Sequence, residues 1–285
     1  MPHGERSSPA PFTLPAGGVL PDLRIVAARD VWVHEDADPA RVERLVARMR
    51  QDGVLRNPPV AAAPTGGGYV VLDGANRSGA LAALGAPAIP LQVVEYADPA
   101  IRLEVWRHLI VDPLDVPAAV RGTGLPLERT PRDAAVRALE EQQAACYIVA
   151  GNQTLVVPLS SSRPLAATLA LVVGAYKAAA RIYRVPTEDV DALAREYGDV
   201  SAIIVFPRLG KHDILRIAGS SVKLPTGITR HLIPGRALRL NVPLDTLTAP
   251  GSVEEKNTVL RELIRKRLLD NAVRHYPEGA YLFDE

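Results

Sequence analysis

Residues 68–95 read GYVVLDGANRSGALAALGAPAIPLQVVE, and this stretch decides the fold. Residues 68–72 form a compact β-prone run, and 89–95 (IPLQVVE) form another. Between them SGALAALG reads as a short helix ended by Gly85. A strand, a short helix and a second strand predict a small α+β domain. The junction Asp73-Gly74-Ala75-Asn76-Arg77 lies between the first strand and the helix. Its glycine lets backbone approach a ligand, the helix start offers N–H groups, and Arg77 adds a fork suited to phosphate. The same five residues read equally well as an aspartate cap with a surface arginine.

Working outward, residues 39–52 predict a helix, because Val42, Leu45, Val46 and Met49 make one apolar stripe. Pro39 suits its first turn and Gly53 its C-terminal stop. Residues 23–33 read as a strand with an irregular continuation. NPPVAAAP (57–64) begins a short strand, and TGGG is a turn. Downstream, prolines 113, 117, 126 and 131 with Gly122 and Gly124 suggest a linker over 112–132. The expected division is an arm (1–20), a first domain (21–125) and a second α/β domain (126–285). In the second, 133–143 reads as a helix, and 147–150 and 154–158 as a hairpin about Gly151-Asn152. Ser162 caps a helix running to about residue 183. Residues 187–197 read as a helix, 202–206 as a buried strand, 237–242 as a strand and 253–273 as a charged amphipathic helix. No internal repeat is visible.

The 285 residues are 47% hydrophobic and 23% charged, as in a folded soluble protein. The net charge of +1 argues against broad nonspecific nucleic-acid binding. A single cysteine, Cys146, excludes an intramolecular disulfide and any cysteine-cluster metal site. The start has neither a basic leader nor a continuous apolar run. The most apolar run, 165–176, ends at Lys177 and is too short to span a bilayer. The expectation is a cytoplasmic protein with no membrane partner; a homodimer is left open.

Two further clusters carry chemistry. His34-Glu35-Asp36 follows the first strand, and read alone it is a solvated charged turn. A carboxylate beside bound phosphate has the chemistry of a general base. Thr226-Gly227-Ile228-Thr229-Arg230-His231 places hydroxyl, guanidinium and imidazole side by side, or is simply a polar loop. Ser160-Ser161-Ser162 reads as helix capping, His212-Asp213 as a helix start, and His3 and His275 as solvated. No Walker A sequence, dinucleotide-binding glycine fingerprint or HExxH competes.

Taken together, residues 23–96 resemble the ParB/sulfiredoxin-like superfamily. Within it, PTGITRHLIPGRALRLNVPLDTL (225–247) is similar to a segment of the free-serine kinases, a branch with archaeal ADP-dependent and siderophore-pathway members. The resemblance implies a ParB/sulfiredoxin-like first domain, a second α/β domain and an active-site cleft between them. It implies phosphoryl transfer from ATP or ADP, with Mg²⁺, to the hydroxyl of free L-serine, giving O-phospho-L-serine for siderophore or cysteine biosynthesis. By the same resemblance Glu35 is the general base, and Asp73 acts beside it or positions Mg²⁺. Gly74, Ala75, Asn76 and Arg77 take nucleotide phosphate, as do Thr229, Arg230 and His231. Trp106 and His34 fall on the serine pocket. Archaeal members carry two histidines where this chain has Ala75 and Asn76. The alternatives are a ParB-like nucleotide-dependent DNA-binding regulator, which calls for a helix-turn-helix not evident here, and a non-catalytic nucleotide or metabolite sensor. Sulfiredoxin needs a loop cysteine, and Cys146 lies far downstream.

Overall fold

The computed structural model describes residues 20–276. The arm and His3 therefore lie outside the described residues, Leu20 apart. The chain divides into two compact units, a mixed α+β arrangement. Among the described residues, one holds 20–31, 39–98 and 233–276; the other holds Trp32–Asp38 and Pro99–Leu232.

The first unit opens with β1 (Asp22–Ala27), a 3₁₀ turn and β2 (Val31–Val33), within which the chain leaves it. It continues through α1 (Pro39–Asp52), β3 (Val54–Leu55), β4 (Val60–Ala62), β5 (Tyr69–Asp73), α2 (Ala75–Ala83) and β6 (Ala88–Val94). The sheet order is β1-β6-β4-β5-β2, with β4 and β6 parallel. Helix α1 has the predicted bounds, and Gly53 follows it at φ +68°. Its stripe joins a core that includes Ile25, Leu55, Leu81 and Leu91.

The second unit contains β7 (Arg102–Val105), β8 (Arg107–Ile110), α3 (Val116–Arg121), β9 (Glu128–Arg129), α4 (Arg132–Glu140), β10 (Ala144–Ala150) and β11 (Gln153–Pro158). It goes on with α5 (Leu165–Lys177), β12 (Ile182–Val185), α6 (Val190–Tyr197), β13 (Ala202–Val205), α7 (Lys211–Ala218) and β14 (Thr229–Leu232). Six strands pair in the order β12-β8-β13-β10-β11-β9. Successive side chains face opposite ways, so Ile110, Ile148 and Ile204 join one core with α3 and α5. Leu109, Tyr147 and Ile203 join another with α4 and α6. Both faces are covered, which explains why these strands read as continuous apolar runs. The chain then returns to the first unit for β15 (Val242–Pro243), α8 (Leu244–Thr248) and α9 (Val253–Leu269).

The expected boundary at 125/126 is corrected by this return. Leu240, Val242, Leu247, Leu260 and Ile264 complete the first unit's core. The expected linker is also corrected: residues 112–132 contain α3, whose Val116 and Val120 are fully buried in the second unit. Ser162 does not cap α5; Pro164 holds that position with no side-chain bond, and the helix ends at Lys177. Residues 237–241 are not strand, since Arg239 and Asn241 adopt left-handed φ of 54° and 46°. No helix among the described residues is long and apolar enough to cross a membrane.

Candidate functional site

In the second unit, β14 pairs antiparallel with β7, and the loop before it is drawn onto Glu35. Glu35 Oε1 accepts from Ile228 N (3.1 Å), Thr229 N (2.6 Å) and Thr229 Oγ1 (2.6 Å); among the described residues Oε2 accepts only from Gly227 N (2.9 Å). The solvated-turn reading is therefore corrected: Glu35 is 9% and His34 3% exposed. His34 Nε2 lies 2.8 Å from Thr229 Oγ1. That hydroxyl has given its one proton to Glu35, so His34 Nε2–H is the donor. The His231 ring meets His34 edge-on, with centroids 5.5 Å apart. Trp106 donates its backbone N–H to Ile228 O (2.8 Å), and the Arg230 guanidinium lies over its indole at 4.3 Å. Thus His34, Glu35, Trp106, Thr229, Arg230 and His231 come together within one unit.

A buried relay holds this loop from below. Tyr176 O–H donates to His108 Nδ1 (2.7 Å), and His108 Nε2–H donates to the Gly227 carbonyl (3.1 Å). Burial lowers the His108 pKa to about 4; Arg184 adds to that effect and the Gly227 carbonyl opposes it. The imidazole is thereby neutral at pH 7, as both bonds require. Gly227 has φ +88°, and a Cβ there would run into the Arg184 guanidinium.

In the first unit, Gly74 turns the chain from β5 into α2 with φ +104°. A Cβ there would stand 2.9 Å from both Pro59 Cβ and Arg77 Nη2, so conformation and space both demand glycine. Ala75, Asn76 and Arg77 form the first turn of α2, where backbone N–H groups lack intrahelical acceptors. The Arg77 guanidinium reaches Asp73 Oδ2 (2.7 Å) and the Asn57 carbonyl (3.3 Å). Arg236 pairs with the same Asp73 oxygen. Burial would raise the Asp73 carboxyl, but the two guanidiniums more than reverse this and hold it below the usual range. The two guanidiniums on Asp73 repel a further cation, so this carboxylate as arranged is a poor Mg²⁺ ligand. No group of three His, Cys, Asp or Glu side chains among the described residues is arranged to hold a metal. This junction suits an anion.

No family model matches the chain. The ATP-dependent L-serine kinase SbnI of Staphylococcus aureus is 24% identical over 264 residues, covering 92% of this chain and 97% of that protein. The chain is a relative of the L-serine kinases. An ATP-dependent L-serine kinase of Staphylothermus marinus is 22% identical over 75% of this chain and 86% of its own length. The serine-kinase fold is shared too. A C-terminally truncated SbnI superposes with a TM-score of 0.68 at 22% identity, covering 86% of this chain and 96% of that one. A free serine kinase in complex with AMP gives 0.71 at 16%, covering 80% and 94%.

Within this serine-kinase relative, sequence reading missed His108, Tyr176, Arg184 and Arg236. His108 alternates with Leu109 in a strand, but nothing local marks its partners 68 and 119 positions away. Arg236 stood inside the quoted 225–247 segment, yet only the return of the chain brings it to Asp73.

Proposed function

We propose that this protein transfers a phosphoryl group from ATP to the hydroxyl of free L-serine, giving O-phospho-L-serine. One observation carries the proposal: the relation to an ATP-dependent L-serine kinase spans 97% of that protein's length. The first unit, which we assign to the ParB/sulfiredoxin-like group, supplies the phosphate ligands: the first-turn N–H groups of α2, with Gly74 permitting close approach and Arg77 as the fork. The second unit supplies the base. Glu35 Oε2 accepts a single hydrogen bond from the described residues and keeps a lone pair for the serine hydroxyl proton. As that proton leaves, serine Oγ bonds to the γ-phosphorus and the bridging oxygen departs with ADP. Such a reaction depends on positioning and charge neutralisation more than on covalent chemistry. Thr229, Arg230 and His231 meet phosphate oxygens, and Trp106 and His34 border the amino acid. Mg²⁺ enters with the nucleotide as its counter-ion, and no step is assigned to a resident metal.

Phosphorus NMR on the protein with L-serine, MgCl₂ and either ATP or ADP tests this. A phosphoserine resonance is expected with ATP. Folded, nucleotide-binding protein that forms none with either donor would overturn the proposal.

A further inference from the structure

Arg77 is not the only arginine at the Asp73 junction, and the other is held by a dedicated device. Gln92, on the interior strand β6 between β1 and β4, is buried. Its side-chain amide is spent on the two residues flanking Arg236: Nε2 donates to the Gly235 carbonyl (3.0 Å), and Oε1 accepts from Ala237 N (2.8 Å). A buried amide is costly unless both ends are paired, and here both are. Further bonds fix the segment: Arg239 N to Asn57 Oδ1 (2.7 Å), Asn241 N to the Arg56 carbonyl (3.0 Å) and Arg267 Nη1 to the Arg239 carbonyl (2.8 Å). The result is a second guanidinium aimed at the same oxygen as the first.

Stability does not explain this. The Arg236 side chain is 34% exposed and the Asp73 side chain 39%, and partly exposed ion pairs contribute little. Two cations on one carboxylate also leave a net positive charge. That excess, with two forks beside the first turn of α2, matches an anion with several oxygens, and Asp73 Oδ2 occupies the kind of position a phosphate oxygen takes. We infer that Arg236, presented by Gln92, is a second polyphosphate-binding arginine of the first unit. The ligand class is the phosphate chain of a nucleoside di- or triphosphate; this identity rests on the kinase reading, whereas the anion chemistry does not.

The test is calorimetric titration of the full chain with inorganic tripolyphosphate and, separately, with ATP, alongside the phosphoserine assay. Arg236→Gln is expected to weaken both ligands at least tenfold. Arg236→Lys should recover part of the loss, since it keeps charge without the fork. Gln92→Leu should weaken both ligands although every arginine remains. Wild-type affinity in Arg236→Gln would overturn the inference and leave the kinase reading intact. Arg236-dependent binding without phosphoserine would support the inference and remove the kinase reading. No binding of either ligand by the wild type would overturn the inference. Should Arg236→Gln fail to fold, Arg236→Lys decides: unchanged affinity for both ligands overturns it, and a loss supports it.

Discussion

Glu35 has one duty visible without any substrate and a second that only the proposed reaction gives it. It draws three backbone N–H groups and one hydroxyl into a loop, and the proposed reaction asks it to take a proton as well. Glu35→Gln replaces one oxygen with an NH₂ group that must face a donor. A buried donor left unpaired costs about 1–3 kcal/mol, so urea titration is expected to show that loss alongside the loss of phosphoserine formation. Full turnover in this variant would remove Glu35 as the base. His108 makes a separate prediction. Its imidazole titrates at about 4 when folded and near 6.5 when unfolded. Between those values the unfolded chain binds the extra proton. The contribution is therefore complete above pH 6.5 and is lost as pH falls from there toward 4. Unfolding measured at pH 7 and pH 5 should show a decrease of about 2 kcal/mol from this group. His108→Gln, which can still donate to Gly227 and accept from Tyr176, should lack it. At this scale the sequence displayed the residue types of the candidate site but not their partners. Glu35 and Thr229 are 194 positions apart, and no spacing rule reaches that far.

Elements were legible where their causes are local. Helix α1 matched its predicted bounds because stripe and proline lie within it and the glycine directly follows it. Helix α9 is capped by Ser252, whose Oγ accepts from Glu255 N (3.2 Å) while the Glu255 carboxylate accepts from Ser252 N (2.7 Å). The stretch 237–241 misled because its alternation is strand-like, whereas its backbone groups answer to Asn57, Arg56 and Gln92. Long-range partners overrode local propensity there. The β5–α2 junction is where an element boundary and the candidate site coincide. Gly74→Ala must adopt φ +104° and push Arg77 or Pro59 aside. The expected outcome is destabilisation of about 1–3 kcal/mol with weaker ATP binding, read by thermal melting and calorimetry. Wild-type ATP affinity in Gly74→Ala would show that Arg77 does not need its present place.

At the scale of the whole molecule, the chain leaves the first unit and comes back, and this was the part least available to sequence reading. The proline-rich stretch looked like a boundary because prolines interrupt helices and strands wherever they lie, including inside a unit. The physical boundary follows the core instead, and five of its buried aliphatics lie beyond residue 239. At about 1.5–3 kcal/mol each, they are comparable with the whole stability of a domain, about 5–15 kcal/mol. A fragment of residues 21–125 is therefore expected to show no cooperative urea transition by circular dichroism. The alternative construction follows from the strand register. Arg102 pairs with Leu232 where β7 and β14 meet, so the excursion's two ends lie about 5 Å apart. Joining residue 101 to residue 233 through an Asn-Gly turn restores every residue of the first unit's core. That chain is expected to unfold cooperatively and, because it keeps Arg77 and Arg236, to bind tripolyphosphate without forming phosphoserine. Cooperative folding of the 21–125 fragment together with failure of the joined chain would place the boundary back in the proline-rich stretch.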